Sequence, residues 1–353
     1  MKVMKPEWAN LEAFALSLIL EKLEERIDHV WFGAVCKNWR TVAKLNHQNH
    51  QFKSNALPML MFVTEREGKE KKINLCGIPT ARVYDHFQLP FLQNHGKEIC
   101  GFSHGWLAIV SYDSKVITLV NPFNNNVAPI ILPPLCCVPC GVGKVILSAN
   151  PTTSSNFYVA TTLGCCSVLY IRAGQKGWTC VTTNYLSKFT DITFYKGLIY
   201  AVNRSGTLVS CNPSSLDDRQ RIVPKVVFQG TRGSCYKWAY LLKSLEGNLW
   251  MVTRSWHRRT FQVFELEMDA QSWNFEPLRS LGDNVVFLSC NSSISVSASC
   301  FSNCLQKDSI YCSQYGLGIY NVRNGTSSNI FPCNLPIQEN LPPCWVLPSF
   351  QWD

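Results

Sequence analysis

Apolar residues recur at helical spacing along the first forty-odd positions. Leu16, Ile19, Leu20 and Leu23 fall at i, i+3, i+4 and i+7 and share one helical face. Val35, Trp39 and Val42 form a second stripe of the same kind. The pattern predicts two or three short helices between residue 5 and about residue 46. Helices this small cannot bury both sides of themselves, so their apolar faces need the rest of the chain or another protein. Residues 47–56 read as a polar linker. From Leu57 onward the apolar runs shorten to roughly four to seven residues, separated by Gly, Asn, Pro and Ser clusters, which predicts strands and tight turns.

The strand region carries a weak repeat. His104-Gly105-Trp106-Leu107-Ala108-Ile109-Val110 resembles Lys196-Gly197-Leu198-Ile199-Tyr200-Ala201-Val202 and Glu246-Gly247-Asn248-Leu249-Trp250-Met251-Val252. A degenerate copy starts at Lys307-Asp308, and Asn156-Phe157-Tyr158-Val159-Ala160 falls midway across the longest gap. A second apolar strand follows at Val168–Ile171, at Val263–Leu266 and at Gly318–Val322, the last ending on the turn signal Asn324-Gly325. A period of roughly 45–50 residues over positions 57–353 predicts a β-propeller of about six four-stranded blades. An irregular pair of β-sandwiches is the competing arrangement. Pairing of Leu57–Met61 with the segment near Trp345 would close the ring.

Charge and composition narrow the function. The 353 residues are 46% hydrophobic and 16% charged. The charged share is low against the roughly 25% of an average domain, which suits broad buried faces. The net charge of +9 is spread along the chain without one long run, so a nucleic-acid footprint is not expected. No stretch reaches the roughly 18 apolar residues of a membrane span. The 17 cysteines form no recurring framework and follow no secretory signal pattern. They read as reduced thiols of a cytoplasmic or nuclear protein, used as small core residues.

Little of the chain has the spacing of an active site. Cys137 and Cys140 make half a zinc site without a second pair, and His47 and His50 lie in the linker. Gly141-Val142-Gly143-Lys144 lacks the first glycine and the hydroxyl residue of a phosphate loop and reads as a turn. No catalytic residue, metal or cofactor is expected. Arg254, Trp256, His257, Arg258 and Arg259 follow a predicted strand, so they should sit on a loop at one propeller face. There they make a candidate surface for an acidic or phosphorylated target, with a solvated hairpin loop as the plain alternative.

Two stretches carry a resemblance. Residues 8–43 resemble an F-box, through Trp8, Leu11, Leu18–Leu23 and above all Val35-Cys36-Lys37-Asn38-Trp39-Arg40. The body resembles the KIB-type β-propeller of plant F-box proteins, through Gly101–Leu107, Val120-Asn121-Pro122-Phe123, Leu132–Leu135 and Cys344–Ser349. The resemblance implies an all-α F-box over 1–46, a linker over 47–56 and an all-β propeller over 57–353. It also implies the substrate receptor of an SCF-type ubiquitin ligase, which itself does no chemistry. The F-box would dock on a Skp-type adaptor, and through it a cullin, while the propeller holds an unidentified target protein. By match to the motif, Leu11, Leu18, Ile19, Leu23, Val30, Val35, Cys36 and Trp39 would pack at or behind the adaptor interface. The family usually has Leu-Pro and an acidic residue where this chain has Leu11-Glu12-Ala13. A propeller scaffold with a degenerate F-box, binding a partner without ubiquitin transfer, is the alternative function.

Overall fold

The two periodicities separate in space as they do in sequence. The computed structural model describes residues 8–23, 25–48, 57–65, 71–87, 92, 96–124, 127–135, 141–164, 167–182, 188–214, 224–229, 236–255, 260–268, 273–314, 317–331, 335–337 and 342–348. A 3-10 turn at Trp8–Asn10 leads into α1 (Ala13–Glu21), α2 (Arg26–Ala34) and α3 (Lys37–Gln48). The third helix runs two residues past 46, into the expected linker.

All the sheets follow. The first blade holds β1 (Met59–Glu65), β2 (Lys71–Cys76) and β3 (Val83–Phe87). The second holds β4 (Lys97–Ser103), β5 (Trp106–Ser111), β6 (Val116–Val120) and β7 (Ile130–Ile131). The third holds β8 (Val142–Leu147), β9 (Tyr158–Leu163), β10 (Ser167–Arg172) and β11 (Thr179–Thr182). The fourth holds β12 (Phe189–Tyr195), β13 (Leu198–Asn203), β14 (Leu208–Cys211) and β15 (Lys225–Phe228). The fifth holds β16 (Tyr236–Lys243), β17 (Leu249–Ser255), β18 (Phe261–Met268) and β19 (Trp273–Pro277). The sixth holds β20 (Asn284–Leu288), β21 (Ser293–Ser297), β22 (Ser309–Cys312), β23 (Gly318–Asn321) and β24 (Ser327–Asn329). The last strand, β25 (Cys344–Val346), returns to the first blade.

The result is a six-bladed propeller. Inner strands meet their neighbours in the order β25, β4, β8, β12, β16, β21. The ring closes where Met59, Leu60 and Met61 of β1 pair with Val346, Trp345 and Cys344 of β25, which ties the two ends of the propeller together as the sequence predicts. The repeated Gly phrase marks the turn from an inner strand to its neighbour. His104 and Gly105 have φ of 52° and 82°, and Lys196 and Gly197 have 46° and 79°. Two successive positive φ angles make the tight hairpin whose twist matches the strands, and glycine takes the second position at no steric cost.

The core is divided among the blade junctions. Along β5, Trp106, Ala108 and Val110 pack toward the third blade, while Leu107 and Ile109 pack toward the first. Along β1, Met59, Met61 and Val63 face the second blade, while Leu60 and Phe62 face the sixth. Each of the six neighbouring blade pairs has such a cluster among the described residues. A strand covered on both sides is apolar at every position, which explains the unbroken apolar runs in place of strict alternation.

The sixth blade departs from the expected four strands. Its chain enters at β20, folds back as β21 into the innermost position, then crosses to β22, which lies parallel to β20. The extra strand gives this sheet five members, against four in each of the others.

Candidate functional site

The head is a small three-helix unit. Leu16, Leu20, Phe32, Val42 and Ala43 form its buried centre, with Leu11, Ile19, Leu23 and Trp39 packed partly against them. Polar contacts fix the chain entering α1. The Trp39 indole N–H donates to the carbonyl of Trp8 at 2.9 Å, and the Asn38 amide donates to the carbonyl of Leu11 at 3.0 Å. The Trp39 ring also lies against Phe32, with centroids 4.5 Å apart. Leu11, Ile19, Leu23 and Trp39 are thus half-buried against the centre of the head.

Other apolar side chains have no cover. Phe14 is 73% exposed and Leu18 46%, one turn apart on the same face of α1. Trp8 is 59% exposed and Val35, at the α2–α3 corner, 55%. Cys36 beside it is half-buried. Val30 lies on α2, with its side chain outside the described residues. Of the expected adaptor-facing residues whose side chains are described, Leu18 and Val35 are the exposed ones. Phe14 and Trp8 join them, and the i, i+4 spacing of Phe14 and Leu18 was the available signal. Glu12, where the F-box pattern has proline, has φ −62°, within the range a proline ring imposes.

The head is clamped to the first blade. Glu25, buried in the α1–α2 corner, accepts hydrogen bonds from Thr80 Oγ1 and, at 2.6 Å, from the Tyr84 hydroxyl. Burial first, then the bond to Glu25, raise the Tyr84 pKa above its ordinary value. Gly77 passes directly over the Glu25 carboxylate, where a Cβ would collide with it. Around this contact, Trp31 meets Tyr84 edge to face at 5.1 Å and Arg82 pairs with Asp28 at 3.5 Å. The Arg82 guanidinium lies 5.6 Å from the Trp31 ring centre and 5.1 Å from that of Tyr84. Ile27 of α2 is part of the apolar cluster between the first two blades. A buried carboxylate holding two hydroxyls, inside an aromatic and cationic collar, makes a joint with defined geometry.

A second polar knot lies where the inner strands converge. Lys144 of β8 pairs with Asp191 of β12 at 2.8 Å, both side chains being buried. Asp191 also accepts the backbone N–H groups of Ile192 and Leu241, at 2.7 and 2.8 Å. Ser293 of β21 donates to Asp191 at 3.2 Å and accepts from Lys144 at 3.0 Å. Next to it, Asn291 donates to the Ile99 carbonyl of β4 at 2.9 Å, and Cys344 of β25 meets Ser292 at 3.5 Å. The β20–β21 turn thus touches inner strands from around the ring and works as a hub. Lys144 lies on a strand instead of the expected turn, and its ammonium is committed to Asp191.

The candidate target loop is placed only in part. Arg254 is buried on β17 and is not on a loop. Its guanidinium donates to the Gln314 carbonyl at 2.7 Å and stands 5.4 Å from the Phe261 ring centre, linking the fifth and sixth blades. Trp256, His257, Arg258 and Arg259 lie outside the described residues, as do Cys137, Cys140 and His50. Among the described residues, no group of three His, Cys, Asp or Glu side chains is arranged to hold a metal.

The described cysteines include core thiols. Cys100, Cys211, Cys312 and Cys344 are buried. Burial pushes Cys290 up to about 12, Cys211 up to about 12 and Cys344 up to about 11. Thiols held protonated are poor nucleophiles, in keeping with a packing role. No helix among the described residues is long and apolar enough to cross a membrane.

Ring, head and joint together define a six-bladed β-propeller with a small helical unit fixed to its first blade. The sequence matches the KIB1-4 beta-propeller family over residues 75–324, and the chain belongs to that family. Among its relatives is an Arabidopsis thaliana protein named as an F-box protein, 26% identical over 348 residues, spanning 88% of each chain. A second F-box protein of the same plant is 23% identical over 343 residues, 87% of this chain and 95% of its own. A third, again from that plant and named as an F-box protein, is 21% identical over 303 residues, 82% of this chain and 80% of its own.

Proposed function

We propose that the chain is the target-recognition subunit of an SCF-type ubiquitin ligase, working in the cytoplasm or nucleus. The observation that carries this reading is the uncovered apolar surface of the head, Trp8, Phe14, Leu18 and Val35, on a unit anchored to a propeller. Large apolar side chains left open on a small helical unit mark a protein interface. The occupant proposed is a Skp-type adaptor, which in turn binds a cullin. Plant relatives named as F-box proteins support the assignment.

The mechanism is proximity. The propeller holds a target, the head holds the adaptor, and the Glu25 joint keeps the two at a set orientation. Holding a target lysine near a charged conjugating enzyme raises its effective concentration without chemistry by this chain. The test is reconstitution of the chain with adaptor, cullin–RING and conjugating enzyme, followed by mass spectrometry of ubiquitin remnants in a plant lysate. Remnants that depend on the wild-type chain and vanish with Leu18→Asp support the reading. Adaptor-independent capture of the same proteins, with no added ubiquitin, supports the scaffold alternative.

A further inference from the structure

An open trough of about 520 Å³ lies between the second and third blades. Its floor is apolar. Leu132, Phe157 and Ile171 are buried there, and the short outer strand β7 supplies Ile130 and Ile131. Ile131 is 69% exposed, more than any other large apolar side chain described in the propeller. Beyond it, the end of β10 and the β10–β11 turn bring two exposed cations, Arg172 and Lys176, to the trough. No carboxylate lines it among the described residues.

The rim is held in place before anything binds. Arg172 Nε donates to Asn156 Oδ1 at 2.9 Å, and the Arg172 backbone N–H donates to the Gln175 side chain at 3.0 Å. The backbone N–H of Ala173 donates to the Phe157 carbonyl at 2.8 Å, fixing the turn to the trough floor. On the other wall, the Trp178 indole donates to the Pro133 carbonyl at 2.8 Å, tying the two blades together. A pre-ordered rim lowers the entropy lost on binding.

We infer that this trough takes an extended acidic–apolar segment of the target protein, an apolar side chain filling the floor and neighbouring Asp or Glu residues meeting Arg172 and Lys176. The volume falls in the roughly 300–1,000 Å³ range of a few-residue or drug-sized occupant. Ile131 extends the apolar contact beyond the cavity, which favours a longer segment over a small molecule. The cation pair with an acid-free lining selects the sign of the partner. The trough lies between the second and third blades, whereas the joint is on the first. This inference rests on the receptor reading and identifies where the target is gripped.

The test is selection of a random peptide display library on the full-length chain. Affinities of the selected peptides are then read by fluorescence polarisation on wild type, Ile131→Asp, the Arg172→Glu/Lys176→Glu pair, and Leu245→Asp as an exposed control on the fifth blade. The expected result is enrichment of peptides with an apolar residue beside Asp or Glu. Their binding should weaken at least tenfold in Ile131→Asp and in the charge-reversed pair, weaken in wild type as salt rises, and stay unchanged in the control. The changed side chains are exposed, and unaltered melting curves establish that the variants fold. Absence of enrichment, or peptides that bind Ile131→Asp as well as wild type, overturns the inference. Adaptor capture is measured on the same preparations. Its loss with peptide binding intact sinks the receptor reading alone, whereas its retention without trough-dependent peptides sinks the trough alone.

Discussion

The head and the propeller solve the same burial problem with different means. The propeller splits its apolar surface over six blade junctions and closes the ring with its own last strand. It needs no partner to cover a strand face. The head buries five apolar side chains at its centre and leaves Trp8, Phe14, Leu18 and Val35 in solvent. Its incompleteness is what suits it to docking, and its position comes from the joint. The comparison extends to their buried carboxylates. Asp191 at the hub has a lysine and two backbone amides, whereas Glu25 at the joint has two hydroxyls. One ties the ring across its centre and the other attaches the head to its rim.

The hub offers the largest expected effect. Asp191→Ala leaves Lys144 buried without its counter-ion and strands two amides, a loss on the order of 3–5 kcal/mol. We expect a large drop in the propeller's denaturation midpoint, whereas an unchanged midpoint would mean that the hub does not hold the ring. Glu25→Ala removes a charged hydrogen-bond acceptor at about 1.5–3 kcal/mol, but only at the joint. Hydrogen exchange should quicken in the head and hold steady in β12 and β16. Equal quickening in both would show that head and ring unfold as one unit. Glu25→Gln keeps the shape but only one of the two acceptor oxygens and should sit between.

Much of this contrast was legible in the sequence. The change from 3.6-residue spacing to short apolar runs separates head from ring, and the Gly phrases mark the inner hairpins. The pairing of Met59–Met61 near Trp345 follows from the need to cover an edge. Other features were not legible. β21, Ser-Ile-Ser-Val-Ser, alternates as a strand does, but nothing in its spacing shows that it folds back into the innermost place of the sixth blade. Asp191 and Lys144 are ordinary charges until the ring brings them together. Arg254 read as a loop residue because its segment follows a predicted strand, whereas the Gln314 carbonyl and the Phe261 ring hold its buried guanidinium at the end of β17. The exposed pair Phe14 and Leu18 shows in the spacing, but exposure itself does not.

Alkaline pH sharpens the comparison, since the titrating thiols belong to the ring. Cys290 and Cys344 are raised to about 12 and about 11 from an ordinary 9.0. With the folded value above the unfolded one, their contribution is complete below about pH 9 and is lost as pH rises toward the folded values. The propeller's melting temperature should be flat up to about pH 8 and fall above 9. Cys344→Ala should make the fall shallower. An identical slope in the variant would remove that thiol from the account.

The smallest expected effect concerns Glu12. Its φ of −62° already suits proline. Glu12→Pro should stabilise the head by about 0.4–1 kcal/mol by restricting the unfolded chain. Lower head protection in hydrogen exchange would mean that the Glu12 N–H or the preceding residue resists the change.

The most direct measurement is the affinity of a purified Skp-type adaptor for the full-length chain, for Leu18→Asp and Val35→Asp, and for Leu245→Asp on the ring. We expect saturable binding by wild type, a loss of tenfold or more in each head variant, and none in the ring variant. No binding by folded wild type, or binding indifferent to Leu18 and Val35, would contradict the receptor reading.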